Sequence, residues 1–506
     1  MEESSLLSKV FISRNSGVAT EHPLSSLAAL EVLRSGGNAV DAAVAAGFSL
    51  SVTQPQLSGL GGDFFALYYE NETRKVHCLN SSGYAPHGLT IDLLKSHHHR
   101  SMPLFGPYSV VIPGHVRGLH GLHEKFGQLE FATLLSSAIR LAEEGFPIHA
   151  GLCNAIGLHW KALSASAKAV LAPKGVVPIP GEILKQSALA STLKTIADQG
   201  VDGFYEGRVA NAISKTISQE GYSVSSNDFA EFEPEWCEPL VAGYRDARIY
   251  EIPPNSMGAT TLLILKYLEN LDLKRMKPNS KERITSTLKC VREAYMRRDE
   301  ELGDPRFVNF DLQKFLVSKG GKKSSRVRKV DGDTTYFAIV DGHGNILSGI
   351  QSIFHNFGSK LFVDDCGFFL NNRASAFKFE GPNKLESRKR PIHTLSTMLL
   401  ELDGDVRLAL GASGGEFRPQ QHALFVTNMV DYSMSLESAL SFPRFLWKSG
   451  REVMVERGFG KVSSSSYKIE LLDYPGKTGV AQGVEVLKDA KKAVCDVRGD
   501  GIPLGM

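Results

Sequence analysis

The sequence predicts an α+β fold. Three features predict it: two helical segments near the start, a strand-like run after a glycine turn, and a β-hairpin beyond the middle of the chain. From Pro23 to Leu33, the leucines Leu27, Leu30 and Leu33 recur at helical spacing, and Gly36-Gly37 supplies a stop. The alanine-rich run from Ala39 to Val52 predicts a second helix, whose small side chains let a neighbouring element approach closely. Gln54-Pro55 ends it, and Ser58-Gly59-Leu60-Gly61-Gly62 makes a tight turn into the strand signal Phe64–Tyr69. Neither glycine pair lies between a strand and a helix at dinucleotide-loop spacing, so a phosphate cradle is the lesser reading.

From Val317 to Lys329 a run of Gly, Ser, Lys and Arg has almost nothing to bury and reads as a linker. Nuclear targeting or an acidic partner is the sharper alternative. The run leads into Asp331-Gly332-Asp333-Thr334, where the texture changes to the β-branched and aromatic residues Thr334–Val340. The turn Asp341–Asn345 and the second run Ile346–Phe354 complete the hairpin. If Val340 pairs with Ile346, Thr334 falls opposite Ser352, and directly opposed Cβ atoms stand about 4.5–5.5 Å apart, within reach for two hydroxyls. Read alone, this is an ordinary Thr–Ser pair on a sheet. Downstream, Gly414-Gly415 follows an apolar strand, where bare N–H groups can be offered to an anion; read alone, it is a turn.

The chain's 506 residues suffice for one large core or two closely packed halves. A net charge of +2 gives no global case for a nucleic-acid or membrane partner. Six cysteines without a CxxC pair suggest neither zinc nor a disulfide scaffold, and reduced thiols are expected. The first twenty residues do not resemble a signal peptide, and no run reaches the roughly 18 apolar residues of a membrane span. A soluble, cytoplasmic protein without metal or cofactor is expected. His97-His98-His99 reads as a solvated loop or a metal site and carries no assigned role.

Taken in order, Gly36–Ala43, Ser58–Gly62, Val111–Gly114, Pro253–Ser256, Leu302–Pro305, Thr334–Phe337, Phe357–Ser359, Gly414-Gly415 and Arg498–Gly501 resemble the signatures of the γ-glutamyltranspeptidase family over nearly the whole chain. The resemblance implies an Ntn-hydrolase fold, a four-layer αββα sandwich built from a large piece, residues 1–333, and a small piece, residues 334–506. It also implies self-cleavage between Asp333 and Thr334, Thr334 as nucleophile, Ser352 as a supporting hydroxyl, and Gly414 and Gly415 as oxyanion donors. A terminal threonine supplies both nucleophile and base: a free α-amino group has a pKa of about 7.7–8.0, so part of it is neutral near pH 7 and accepts the hydroxyl proton.

The sequence departs from typical glutathione-processing members where those grip the glutamyl group. The arginine of their R-E-x-A-P-like motif is absent from Ser82-Gly83-Tyr84-Ala85-Pro86; Phe354 replaces an Asn, and Arg373 and Ala376 replace a Gln and an Asp. Ile350–His355, Asn372-Arg373 and Pro391–Leu395 look more like the oxamate amidohydrolase and cephalosporin acylase-like branch. Arg373 is the expected relocated carboxylate anchor, by bidentate pairing. Its alternative is an internal salt bridge; for His393 the alternative is a structural hydrogen bond. Tyr84, Asn372, His393 and Thr394 complete the expected substrate-binding set. The short stretch from Phe377 to Arg390 leaves little room for a lid, so hydrolysis should exceed transfer. Three functions stay open: hydrolysis of γ-glutamyl amides such as glutathione, hydrolysis of oxamate or another small carboxylated amide, and an unprocessed scaffold.

Overall fold

The computed structural model describes residues 8–218, 222–317, 334–459 and 466–506, so Asp333 and nearly all of the basic run after Val317 lie outside the described residues. Val317 itself closes the short helix Leu312–Val317.

The hairpin forms in the expected register. Val340 faces Ile346, and Thr335 faces Gln351. Its strands, Thr335–Val340 and Ile346–Ser352, sit at the centre of a seven-stranded antiparallel sheet. Gly17–Thr20 and Leu504–Gly505 flank them on one side; Asp63–Glu70, Lys75–Ser81 and Glu235–Cys237 flank them on the other. A second seven-stranded antiparallel sheet runs Lys9–Ser13, Lys491–Cys495, Ala481–Val486, Asp405–Ala412, Met398–Leu402, Ala247–Glu251 and Leu240–Tyr244.

Successive side chains on a strand point to opposite faces, and here both faces are buried. Phe337 and Ile339 join an apolar cluster shared with helices, whereas Tyr336, Ala338 and Val340 join a second cluster between the two sheets. A third cluster lies on the outer face of the second sheet, where Gly258–Leu268, Lys281–Glu301 and Arg418–Val430 pack. The layer order is therefore helix, sheet, sheet, helix, the αββα sandwich expected. Each large apolar side chain so buried contributes roughly 1.5–3 kcal/mol.

The helix Ala39–Thr53 is buried along its whole length and packs on the hairpin strands. Asn38 and Asp41 form a capping box at its start. Asp341, in the hairpin turn, accepts the N–H of Ala39 at 3.0 Å and ties the turn to that helix. The first helix, Pro23–Arg34, differs from expectation: Leu27 is exposed, and Ser25, Ser26, Ala28, Ala29 and Leu33 are buried. It packs against the alanine-rich helix, and small residues on both faces let the two backbones come close. Among the described residues no helix is long and apolar enough to cross a membrane.

Candidate active site

Thr334 stands at the head of the central strand and is buried. The register that opposes Thr335 to Gln351, continued by one position, brings Thr334 beside Ser352. Ser352 is the last residue of its own strand, and its Oγ accepts the N–H of Phe354 at 2.8 Å. On its other side Ser352 faces Asp63. The preceding glycine is required there: a Cβ on Gly62 would lie 2.5 Å from the Ser352 carbonyl oxygen. Gln351 fixes the strand to the central helix and the glycine turn, donating to the Gly47 carbonyl and Ser58 Oγ and accepting from His115 Nε2 at 3.1 Å.

Asp63 is the centre of a wholly buried polar cluster. Oδ1 accepts the N–H of Gly83 at 2.7 Å, while Oδ2 accepts from His393 Nε2 at 2.9 Å and from Arg373 Nε at 3.3 Å. Burial works against the carboxylate's charge, but these partners hold its pKa below the ordinary value. Burial, with Arg373 adding to it, pushes His393 down to about 3, so its ring is neutral and donates through Nε2. Burial also lowers Arg373 to about 10, which leaves the guanidinium charged.

Four of the residues expected to contact substrate hold internal partners instead, two of them in this cluster. Arg373 is fully buried, paired with Asp63, bonded through Nη1 to Thr394 Oγ1 at 3.0 Å and covered by the Phe354 ring at 4.0 Å. It is an internal ion pair rather than an open carboxylate anchor. His393 is committed to Asp63. Asn372 spends its side chain on His355 N, His355 Nδ1 and the Leu104 carbonyl. Tyr84 lies in the core with its hydroxyl on the Asp228 carbonyl. Each side chain already has an internal partner, although Arg373 Nη2 is buried without one among the described residues.

Thr394 does reach a cleft, together with Phe354, Ala376 and Glu416. Met257, Leu302 and Ile392 complete its apolar walls; Arg298, Asp299 and Lys378 bring charge. Arg298 is balanced by Asp299 at 2.7 Å and Glu416 at 3.6 Å, whereas Lys378 is exposed. Gly414 and Gly415 follow the strand Asp405–Ala412 after Ser413, just before Glu416. Their φ angles of +125° and +56° lie in the left-handed region that favours glycine. The Gly414 carbonyl accepts from Phe417, and among the described residues neither glycine N–H donates to a backbone carbonyl.

Two residues escaped the sequence reading. Asp63 had a signal: an acid opening a strand buried on both faces needs partners. Glu21 had none, yet it is buried and its Oε1 accepts the N–H of Tyr336, two residues beyond Thr334, at 3.2 Å.

Comparison with known proteins extends over the whole molecule. The sequence model described as Gamma-glutamyltranspeptidase matches residues 25–506. The glutathione hydrolase-like YwrD proenzyme of Bacillus subtilis is 32% identical, over 99% of this chain and 100% of the relative. The oxamate amidohydrolase proenzyme of Klebsiella pneumoniae is 28% identical over 96% and 94%. The crystal structure of cephalosporin acylase from Bacillus halodurans superposes with a TM-score of 0.91 at 28% identity, covering 98% of this chain and 97% of that one.

Proposed function

Because this chain belongs to the gamma-glutamyltranspeptidase family and is therefore an enzyme with the Ntn-hydrolase fold, we propose that it is a precursor that cleaves itself between Asp333 and Thr334 and then hydrolyses amides through Thr334. In the first event Thr334 Oγ attacks the preceding carbonyl, the acyl group shifts from nitrogen to oxygen, and water opens the ester. This frees residues 334–506 with a terminal amine. In turnover that amine takes the proton of its own residue's hydroxyl as Oγ attacks the substrate carbonyl, the C–N bond breaks as the departing amine takes up that proton, and water hydrolyses the acyl ester to release the acid and restore the hydroxyl. Ser352 orients Oγ, and the N–H groups of Gly414 and Gly415 receive the oxyanion. The two pieces remain together through the shared sheets.

The observation that carries this reading is the hairpin register, in which Thr334 heads the central strand beside Ser352. The decisive experiment is a denaturing gel with mass spectrometry of the small piece's N-terminus. Two bands, one beginning at Thr334, are expected, and a Thr334→Ala variant stays whole and inactive. A wild-type chain that remains intact yet turns over overturns the proposal, and an intact inactive one is the scaffold.

For the substrate, the reading is an amide whose acyl part bears a carboxylate, with γ-glutamyl compounds such as glutathione first. The anchor falls to Lys378, the exposed cation of the cleft, since Arg373 is enclosed. A second reading, an oxamate-like amide without an α-amino group, is favoured by Phe354 and Ala376 on the cleft wall, neither of which can pair with an ammonium. Glutamate release from glutathione against ammonia release from oxamate separates the two. The compact Lys378–Leu385 turn, closed by hydrogen bonds between Lys378 and Asn383 and between Leu385 and Lys378, leaves the cleft open to water and favours hydrolysis over transfer.

A further inference from the structure

Cys78 and Cys237 face each other across the neighbouring antiparallel strands Lys75–Ser81 and Glu235–Cys237, with their sulfurs 3.2 Å apart and no disulfide between them. Directly opposed residues of an antiparallel pair hold their Cα atoms about 4.5 or 5.5 Å apart, and disulfides span Cα separations of about 4.4–6.8 Å. The strands need not move to be joined. From this juxtaposition we propose that Cys78 and Cys237 form a disulfide by exchange with a low-molecular-weight disulfide.

Cys237 is the more exposed of the two and is the point of entry. Its thiolate attacks one sulfur of the small disulfide, expels one small thiol and becomes a mixed disulfide. The Cys78 sulfur then attacks Cys237 Sγ and expels the second small thiol. Two protein thiols are oxidised and one small disulfide is reduced to two thiols, which carry away both protons. Burial pushes the Cys78 thiol well up, so closure is the slower of the two steps.

The position gives the bond a consequence. Glu235–Cys237 is a three-residue edge strand, and the chain then leaves it for the other sheet at Leu240. The link would lock that edge and the crossing between sheets. Both cysteines precede Thr334, so it lies within one piece whether or not the chain is cleaved.

The test exposes the native protein to 2-hydroxyethyl disulfide, which carries no γ-glutamyl amide, and then alkylates in denaturant. Two fewer alkylated thiols than the six present, and a peptide pair joining Cys78 to Cys237, are expected. Cys78→Ser should halt at a mercaptoethanol adduct on Cys237. Cys237→Ser, at the less buried position, should keep every remaining thiol alkylatable. A wild type that retains all six thiols, or that itself halts at the adduct, overturns the inference.

Discussion

His393 directs its Nε2 proton at Asp63 Oδ2 across 2.9 Å, and both side chains are wholly enclosed. The other ring nitrogen accepts the N–H of Leu395 at 3.2 Å, which fixes this tautomer. Asp63 therefore carries the negative charge that balances Arg373, one strand away from Ser352. Removing one partner of a buried ion pair leaves the other uncompensated, at a cost of about 3–5 kcal/mol. Asp63→Asn should lose stability on that scale in urea unfolding. Arg373→Met in the same chain should recover part of it, because no charge is then left unpaired. A loss below about 1 kcal/mol for Asp63→Asn would refute the ion-pair account.

Acid should unfold the protein in a defined window. Burial is the first cause that lowers His393 and His22 to about 3 and His115 to about 4, from an ordinary value of 6.5. The unfolded chain binds these protons below pH 6.5 while the folded chain refuses them, so stability is fully present above that value. It then falls as pH drops toward 4 for His115 and toward 3 for the other two. Each histidine steepens the slope by up to about 1.4 kcal/mol per pH unit. The depressed Asp63 adds its own loss at lower pH still. Urea unfolding from pH 7 to pH 4.5 measures the slope, and His115→Gln, which keeps a donor for Gln351, should flatten it by one proton. A stability constant over that range would contradict the burial of neutral rings.

Which of these features could be read beforehand follows from how local their causes are. The hairpin was legible because β-branched strands and a five-residue turn fix a register without help from the rest of the chain. The alanine-rich helix was legible as well, but the buried face of Pro23–Arg34 was not. Its leucine spacing pointed to Leu27, whereas packing against a helix of small residues selected Ala28 and Ala29. The same limit explains Arg373. A guanidinium in a matching motif reads as an anchor until the fold reveals that Asp63, 310 positions away, already holds it.

Lys378→Ala tests where the substrate carboxylate is held. The other cation of the cleft, Arg298, is already balanced by Asp299 and Glu416, so loss of the exposed one removes attraction for an anion without disturbing the core. KM for a carboxylated amide should rise several-fold with kcat nearly unchanged, and a neutral amide should respond to neither. Equal effects on both substrates would move the anchor elsewhere.

The last expectation concerns the α-amino group. Phe354 and Ala376 both line the cleft, at the two positions where the family resemblance leads one to expect an Asn and an Asp. An ammonium bound beside an apolar ring and a methyl group loses its water and gains no partner, so an α-amino group should be neutral or harmful to binding in the wild type. Ala376→Asp with Phe354→Asn supplies a carboxylate and an amide on that wall, and charged hydrogen bonds of this kind contribute about 1.5–3 kcal/mol. The ratio of kcat/KM for a γ-glutamyl amide over the corresponding glutaryl amide should therefore rise by roughly 10–100-fold. Lys378 stays in place, so binding of the distal carboxylate is common to both substrates and cancels in the ratio. If the ratio does not move, the ammonium does not lie against Phe354 and Ala376, and the contacts that set the response to an α-amino group belong to another face of the cleft.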